Sequence, residues 1–252
     1  MIRAILFKEL RVFFRSPLAY IIAGLFSLIV GWIFFNQLSY FVENIQKIPV
    51  AMRNQYDFSN EVVIKFFGNI NFLLLFITPL VTMKIFSEEF KEGTIDIYYT
   101  SAVSDYELIL GKFLSVIVQG LFLLATTFIF PFFLSNIQLS DVSFIFTGYI
   151  GLVLNFTCYA ALGCLASSLT RHQILSALMA FILILFIWMM TMFAQMTSNY
   201  LFSEILSFIS INKHFENFVK ANIFISDITY YMSFITLILL LIKKRLGMRQ
   251  WI

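Results

Sequence analysis

The sequence predicts an all-α integral membrane protein with six transmembrane helices, an N-terminal amphipathic interfacial helix and short accessory helices at both membrane faces. Three observations carry that prediction. Hydrophobic residues make up 60% of the 252-residue chain and charged residues 12%, about half the charged share of a soluble domain. Six apolar runs contain no Asp, Glu, Lys or Arg. Between those runs, Lys and Arg collect on alternate connections. A chain with so little charge cannot cover a water-facing exterior, so lipid must wet most of it, and its 32 Phe face acyl chains without a solubility penalty.

Each element follows in order. In segment 1–16, Ile2, Leu6, Leu10 and Phe13 share one helical face, while Arg3, Lys8, Arg11 and Arg15 lie on the other side. That pattern predicts a basic amphipathic helix lying flat in the inner headgroups until Pro17 turns the chain into the membrane. The apolar runs cover 18–35, 66–83, 113–134, 144–165, 174–193 and 228–242. About 20 helical residues cross the hydrocarbon core, and helices are the economical way to do so because an unpaired peptide group in lipid is costly. The first run exceeds a usual signal core and lacks an Ala-x-Ala exit, so it is expected to be retained. The sixth is short and is expected to extend through Ser226 and Asp227 at one end, with Lys243 and Lys244 snorkelling at the other.

Segment 196–227 carries Leu201, Phe202, Ile205, Leu206 and Ile209 on one face and Ser203, Glu204, Ser207 and Ser210 on the other. It predicts an external helix, interfacial or re-entrant. Pro79 and Pro131 are expected to kink their helices. Ala160, Cys164 and Ser168 form one small-residue face, and Gly163 and Ser167 another, suited to close helix approach within the chain or across a dimer. The two cysteines, Cys158 and Cys164, point apart on one helix and read as packing residues.

With the N-terminus inside, twelve Lys and Arg fall on the cytoplasmic side and five outside, the five in the two longest external loops. The positive-inside rule therefore places both termini in the cytoplasm. One domain spans 1–252, in a plasma (inner) membrane.

The most informative stretch is 84–112, KIFSEEFKEGTIDIYYTSAVSDYELILGK. Glu88, Glu89, Lys91 and Glu92 end the second span in a charged turn. Gly93 breaks that helix, and Thr94 can cap a short helix over 95–99. Ser104, Asp105, Tyr106 and Glu107 form a capping box that opens the third span. This is a structured elbow, and its middle piece is expected to expose Ile95, Ile97, Tyr98 and Tyr99, relieved only by Asp96. Such a surface suits a partner.

At these residues the chain resembles the permease subunits of type-2 ABC exporters. The matching residues are Glu88, Glu89, Lys91, Gly93, Thr94, Ile95, Asp96, Ile97, Thr100, Ser101, Val103, Ser104, Gly111 and Lys112, with Ala102 where the family has proline. A second match is Ser167-Ser168-Leu169-Thr170-Arg171. A third, His214-Phe215-Glu216 with Asp227, is similar to the gliding-motility-associated and nitrous-oxide-accessory branch. The resemblance implies that 93–101 is a coupling helix docking into a separate ATPase subunit, flanked by the N-terminal helix. Glu88 to Ser101, with Tyr98, would then form the ATPase-coupling set. It also implies pairing with a second permease copy or a homologue around one path.

No Gly-x-x-x-x-Gly-Lys-Ser/Thr is present, so ATP and Mg would be handled by the partner ATPase, and no cofactor or metal is expected on this chain. No catalytic His or Ser arrangement is suggested, and His214 reads as a loop histidine without a role. The spans lack ionisable residues, which weighs against a proton-driven carrier. Asn69, Asn71, Thr78, Gln119 and Asn155 are candidate path-lining residues, although interhelical hydrogen bonds are the commoner use of such groups. A charge of +3 indicates no nucleic-acid partner. The alternative function is a non-transporting assembly or recruitment protein, for example a gliding-machinery component.

Overall fold

The computed structural model describes residues 1–47, 58–95, 103–136 and 142–249. They form helices α1 (Ile2–Arg15), α2 (Pro17–Lys47), α3 (Lys65–Thr82), α4 (Ser87–Glu92), α5 (Asp105–Thr127), α6 (Ile129–Asn136), α7 (Val142–Leu169), α8 (Gln173–Met196), α9 (Tyr200–Ile209), α10 (Ile211–Val219) and α11 (Ile225–Arg249). No strand occurs among the described residues.

Six helical stretches are long and apolar enough to cross a membrane: Pro17–Lys47, Glu61–Glu92, Asp105–Phe133, Val142–Leu169, Gln173–Met196 and Ile225–Gly247. The expected six-helix architecture is thus observed. Each stretch is longer than its apolar run, because helix continues past the last apolar residue into polar flanks. The sixth gains Ser226 and Asp227 and runs on through Lys243 and Lys244, as expected.

α7 is the central helix, with 78% of its apolar window buried against 22% for α8 and 28% for α11. Its run of small residues, Ala160, Ala161, Gly163, Cys164, Ala166, Ser167 and Ser168, is buried against the neighbouring helices. Both cysteines are free and buried, in keeping with packing roles. Each proline acts differently. Pro79 sits inside α3, whereas the helix after α5 breaks at Phe128, three residues before Pro131. The proline ring collides with the carbonyl of Thr127, four residues back, and offers it no N–H.

α1 also packs on protein, with Ile2, Leu6, Leu10 and Phe13 of its apolar stripe half-buried. Ile5 is buried, and Phe14 meets Phe122 of α5 edge-on at 5.1 Å. Contacts running from Glu107 to Phe122 keep α1 alongside α5 for several turns. An apolar stripe can be buried by lipid or by a neighbouring helix, and periodicity alone does not distinguish the two. The segment between α8 and α11, expected to hold one helix, holds two. α9 buries no residue, whereas α10 buries Ile211, His214, Phe215, Phe218 and Val219, and docks against α7 and α8.

Candidate functional site

The elbow begins where α3 gives way to α4. The turn at residues 83–86 leaves backbone groups without helical partners, and buried groups of that kind must find others. Two distant side chains supply them. The Ser167 hydroxyl, on α7, accepts from Phe86 N at 3.0 Å and Ser87 N at 3.1 Å, and donates to Met83 O at 3.1 Å. Lys112, on α5, donates to Ile85 O at 2.7 Å. Close approach of α7 makes this reach available: a Cβ on Gly163 would sit 2.2 Å from the Thr82 hydroxyl oxygen. Ser167, read from sequence as part of a small-residue face and of a short connection, therefore caps the elbow from across the bundle.

Lys112 is the hub. Its side chain is fully buried, and its ammonium reaches Glu9 of α1 at 2.9 Å, Glu89 of α4 at 2.9 Å and the Ile85 carbonyl. Three oxygens thus stand within hydrogen-bonding distance of a group with three N–H donors. Lys8 adds a more exposed cation 3.0 Å from Glu89 and 3.8 Å from Glu9. The collar joins three elements that are far apart in sequence. Beside it, α1 presses close to Gly111, where an added Cβ would lie 2.9 Å from Ile5 Cβ and 3.1 Å from the Ile2 carbonyl oxygen.

α4 ends at Gly93, whose φ of +71° is the left-handed conformation that glycine adopts without a Cβ clash. α5 opens on the expected capping box. Glu107 N donates to the Ser104 hydroxyl at 3.3 Å, and Ser104 N donates to the Glu107 carboxylate at 3.2 Å. The N-terminal ammonium also pairs with Glu107 at 3.1 Å.

Of the sequence-predicted coupling residues, Glu89 lies inside the collar, Glu88 is half-buried beside it, and Lys91 and Gly93 are exposed with Thr94 half-buried. Ile95, expected to be exposed, is buried at 5% and belongs to the main core. An isoleucine two residues past a glycine break gains more from a nearby apolar core than from display. Asp96, Ile97, Tyr98, Thr100 and Ser101 lie outside the described residues, as do Tyr99 and Ala102.

The candidate path-lining residues fall in separate places. Asn155 donates to Asn71, Asn71 donates to Asn212 at 2.9 Å, and Tyr159 donates to Asn71 at 3.3 Å. This cluster backs a cavity of about 420 Å³ lined by Asn71, Trp188, Asn212 and Phe215. Gln119 is in the opposite half, beside the elbow, Thr78 is fully buried, and Asn69 is exposed.

The reading of His214 as a loop residue is overturned. It lies on α10, 4% exposed, with Nδ1 2.7 Å from Asp227 Oδ1 and Nε2 3.0 Å from the Phe208 carbonyl. Asn217 donates to the other carboxylate oxygen at 2.9 Å, and the Tyr230 ring stacks on the imidazole at 3.9 Å. The pair pins α10 to the start of α11. No group of three or more His, Cys, Asp or Glu able to hold a metal occurs among the described residues.

The family model described as "ABC-2 family transporter protein" matches residues 3–245. The chain belongs to that family. It is accordingly a multi-pass membrane permease component of an ABC transporter, and the family implies partnership with an ABC ATPase. The ABC-2 match extends over α1, the elbow and all six spans, so it takes in every residue of the collar. No curated protein matches the chain.

Proposed function

We propose that this ABC-2 permease is the membrane subunit of an ATP-driven exporter, that it works as a pair with a second permease copy or a homologue, and that a separate ATPase grips it at the elbow following α4. ATP and Mg belong to that partner. Both termini lie in the cytoplasm, and the membrane is the inner one. The observation that carries the coupling role is the collar. An elbow fastened to α1, α5 and α7 by Lys112 and Ser167 passes a push on its tip into several helices at once, whereas a slack loop would absorb it.

Positions 93–101 are the proposed coupling helix, with Glu88, Glu89 and Lys91 leading into it. Thr78, Gln119 and the Asn71–Asn155 cluster are proposed to border the path. The His214–Asp227 pair adds weight to the gliding-motility-associated and nitrous-oxide-accessory branch, because the residues that carry that resemblance meet in space.

Co-purification with a Walker-type ATPase encoded beside it tests the reading. The expected result is a stable complex whose ATP hydrolysis rises in proteoliposomes and drives transport. A complex that assembles but moves nothing across the membrane would favour a recruitment role instead.

A further inference from the structure

Beside the collar, a crevice runs between α1–α2 and α3–α4 with α5 as its floor. Its inner chamber is about 260 Å³, and it continues into a wider cytoplasmic mouth of about 550 Å³ through shared walls at Glu9, Val12, Lys84, Ile85 and Glu88. Ile22, Leu80 and Val81 line the chamber. Leu18 and Leu80 are 40% and 43% exposed on the flanks of two spans, so the chamber opens sideways toward acyl chains.

Several polar side chains lining this crevice have no partner among the described residues, and three of them matter most. Gln119 lines the chamber at 3% exposure and makes no hydrogen bond. It sits seven residues beyond Lys112 on the same face of α5, about 10 Å deeper. Its amide borders the chamber without a protein partner, so a ligand there can supply the missing hydrogen bonds. Lys84 and Glu88 stand at the mouth, and neither makes an ion pair. Of the other charges nearby, Glu9 and Glu89 are committed to Lys112 and Lys8, and Glu92 adds a second carboxylate at the mouth.

We propose that this crevice binds an inner-leaflet phospholipid whose headgroup carries a phosphate and a primary ammonium. The phosphate pairs with Lys84 and the ammonium with Glu88. The Gln119 amide bonds the glycerol-ester region, and an acyl chain lies along Ile22 and Leu80. A net-anionic head would set its charge against Glu88, and a quaternary ammonium offers that carboxylate no N–H. The inference rests on the crevice and on the orientation proposed above, and stands whether or not the chain exports anything.

The test is native mass spectrometry of the full chain released from nanodiscs of equal parts phosphatidylethanolamine, phosphatidylglycerol and phosphatidylcholine. Phosphatidylethanolamine should be retained about tenfold over the other two, the worth of roughly one good charge-assisted contact. Gln119→Leu, which keeps the volume, and Lys84→Gln should each lower retention about tenfold. Glu88→Gln should erase the preference for the ethanolamine head over choline. Arg171→Gln, on the exposed α7–α8 turn, should change nothing. Photo-crosslinking of wild-type chain with a phosphatidylethanolamine bearing a reactive acyl chain should label the peptides holding Ile22 or Leu80, a readout that needs no variant. Absence of that label, preferential retention of phosphatidylglycerol, or retention indifferent to Gln119→Leu in a variant that melts like wild type would overturn the proposal.

Discussion

The two ends of this permease each hold a buried charge cluster, and the clusters do different work. At the elbow end Lys112 gathers Glu9, 103 positions away, and Glu89, on the far side of the elbow. At the other end His214 meets Asp227 only 13 residues along the chain. The first ties together elements that a partner could drive relative to one another, whereas the second folds one connection back on itself. Burying charge costs free energy at both ends, so a cluster is weak evidence of stability by itself. Reach is what separates a coupling device from a local staple.

The largest expected effect comes from breaking the hub. Lys112→Met keeps the apolar stem but leaves Glu9 and Glu89 facing each other. It should destabilise the fold by about 3–5 kcal/mol, less whatever Lys8 recovers by its own pairing. Unfolding of the purified chain in mixed detergent would measure that loss. His214→Phe retains a ring for the Tyr230 stack and removes the partner of a buried carboxylate. It should cost about 3 kcal/mol, most of it regained in His214→Phe/Asp227→Leu, where no charge is left unpaired. Recovery in this double variant marks the His214–Asp227 pair as a replaceable staple. If the double variant is as unstable as the single, the pair is more than local and the contrast between the ends narrows.

Smaller effects probe the elbow itself. Ser167→Ala leaves the Phe86 and Ser87 amides without an acceptor and should cost about 2 kcal/mol, with faster hydrogen exchange at those two amides. Gly93→Val forces a β-branched residue into a left-handed conformation and should cost about 1–2 kcal/mol. Its effect on transport should be far greater than on stability, because the strain falls at the start of the proposed coupling helix. Ser104→Ala removes half of the capping box and should cost about 1 kcal/mol, read as fraying of the first turn of α5.

How much of this could be read from sequence depends on the range of the interaction. Charge-free runs mark the six spans because lipid excludes ionisable groups, and that constraint acts on each span separately. Gly93 and the Ser104–Glu107 box are legible for the same reason, since a helix end is settled within four residues. The collar is not. Glu9, Glu89 and Lys112 each look like an ordinary charge at a membrane boundary, and only the tertiary fold brings them together. Ser167 is similar: a serine that caps its own helix has a signature in spacing, and one that caps a different helix has none. One cue was present, since Gly111 and Lys112 stood in the matched pattern, and a lysine directly before an apolar run has to answer for its charge. Ile95 shows the converse error, where a local amphipathic pattern suggested display and the nearby core claimed the side chain.

The central claim is that the collar carries movement from the elbow to the spans. The most direct measurement is ATP hydrolysis by the partner ATPase, co-reconstituted with wild-type or Lys112→Met permease at a temperature where both are folded, with His214→Phe as the comparison. The account predicts that all three permeases bind the ATPase equally. Wild type and His214→Phe should stimulate hydrolysis alike, while Lys112→Met should fail to do so. Full stimulation by folded Lys112→Met would contradict it.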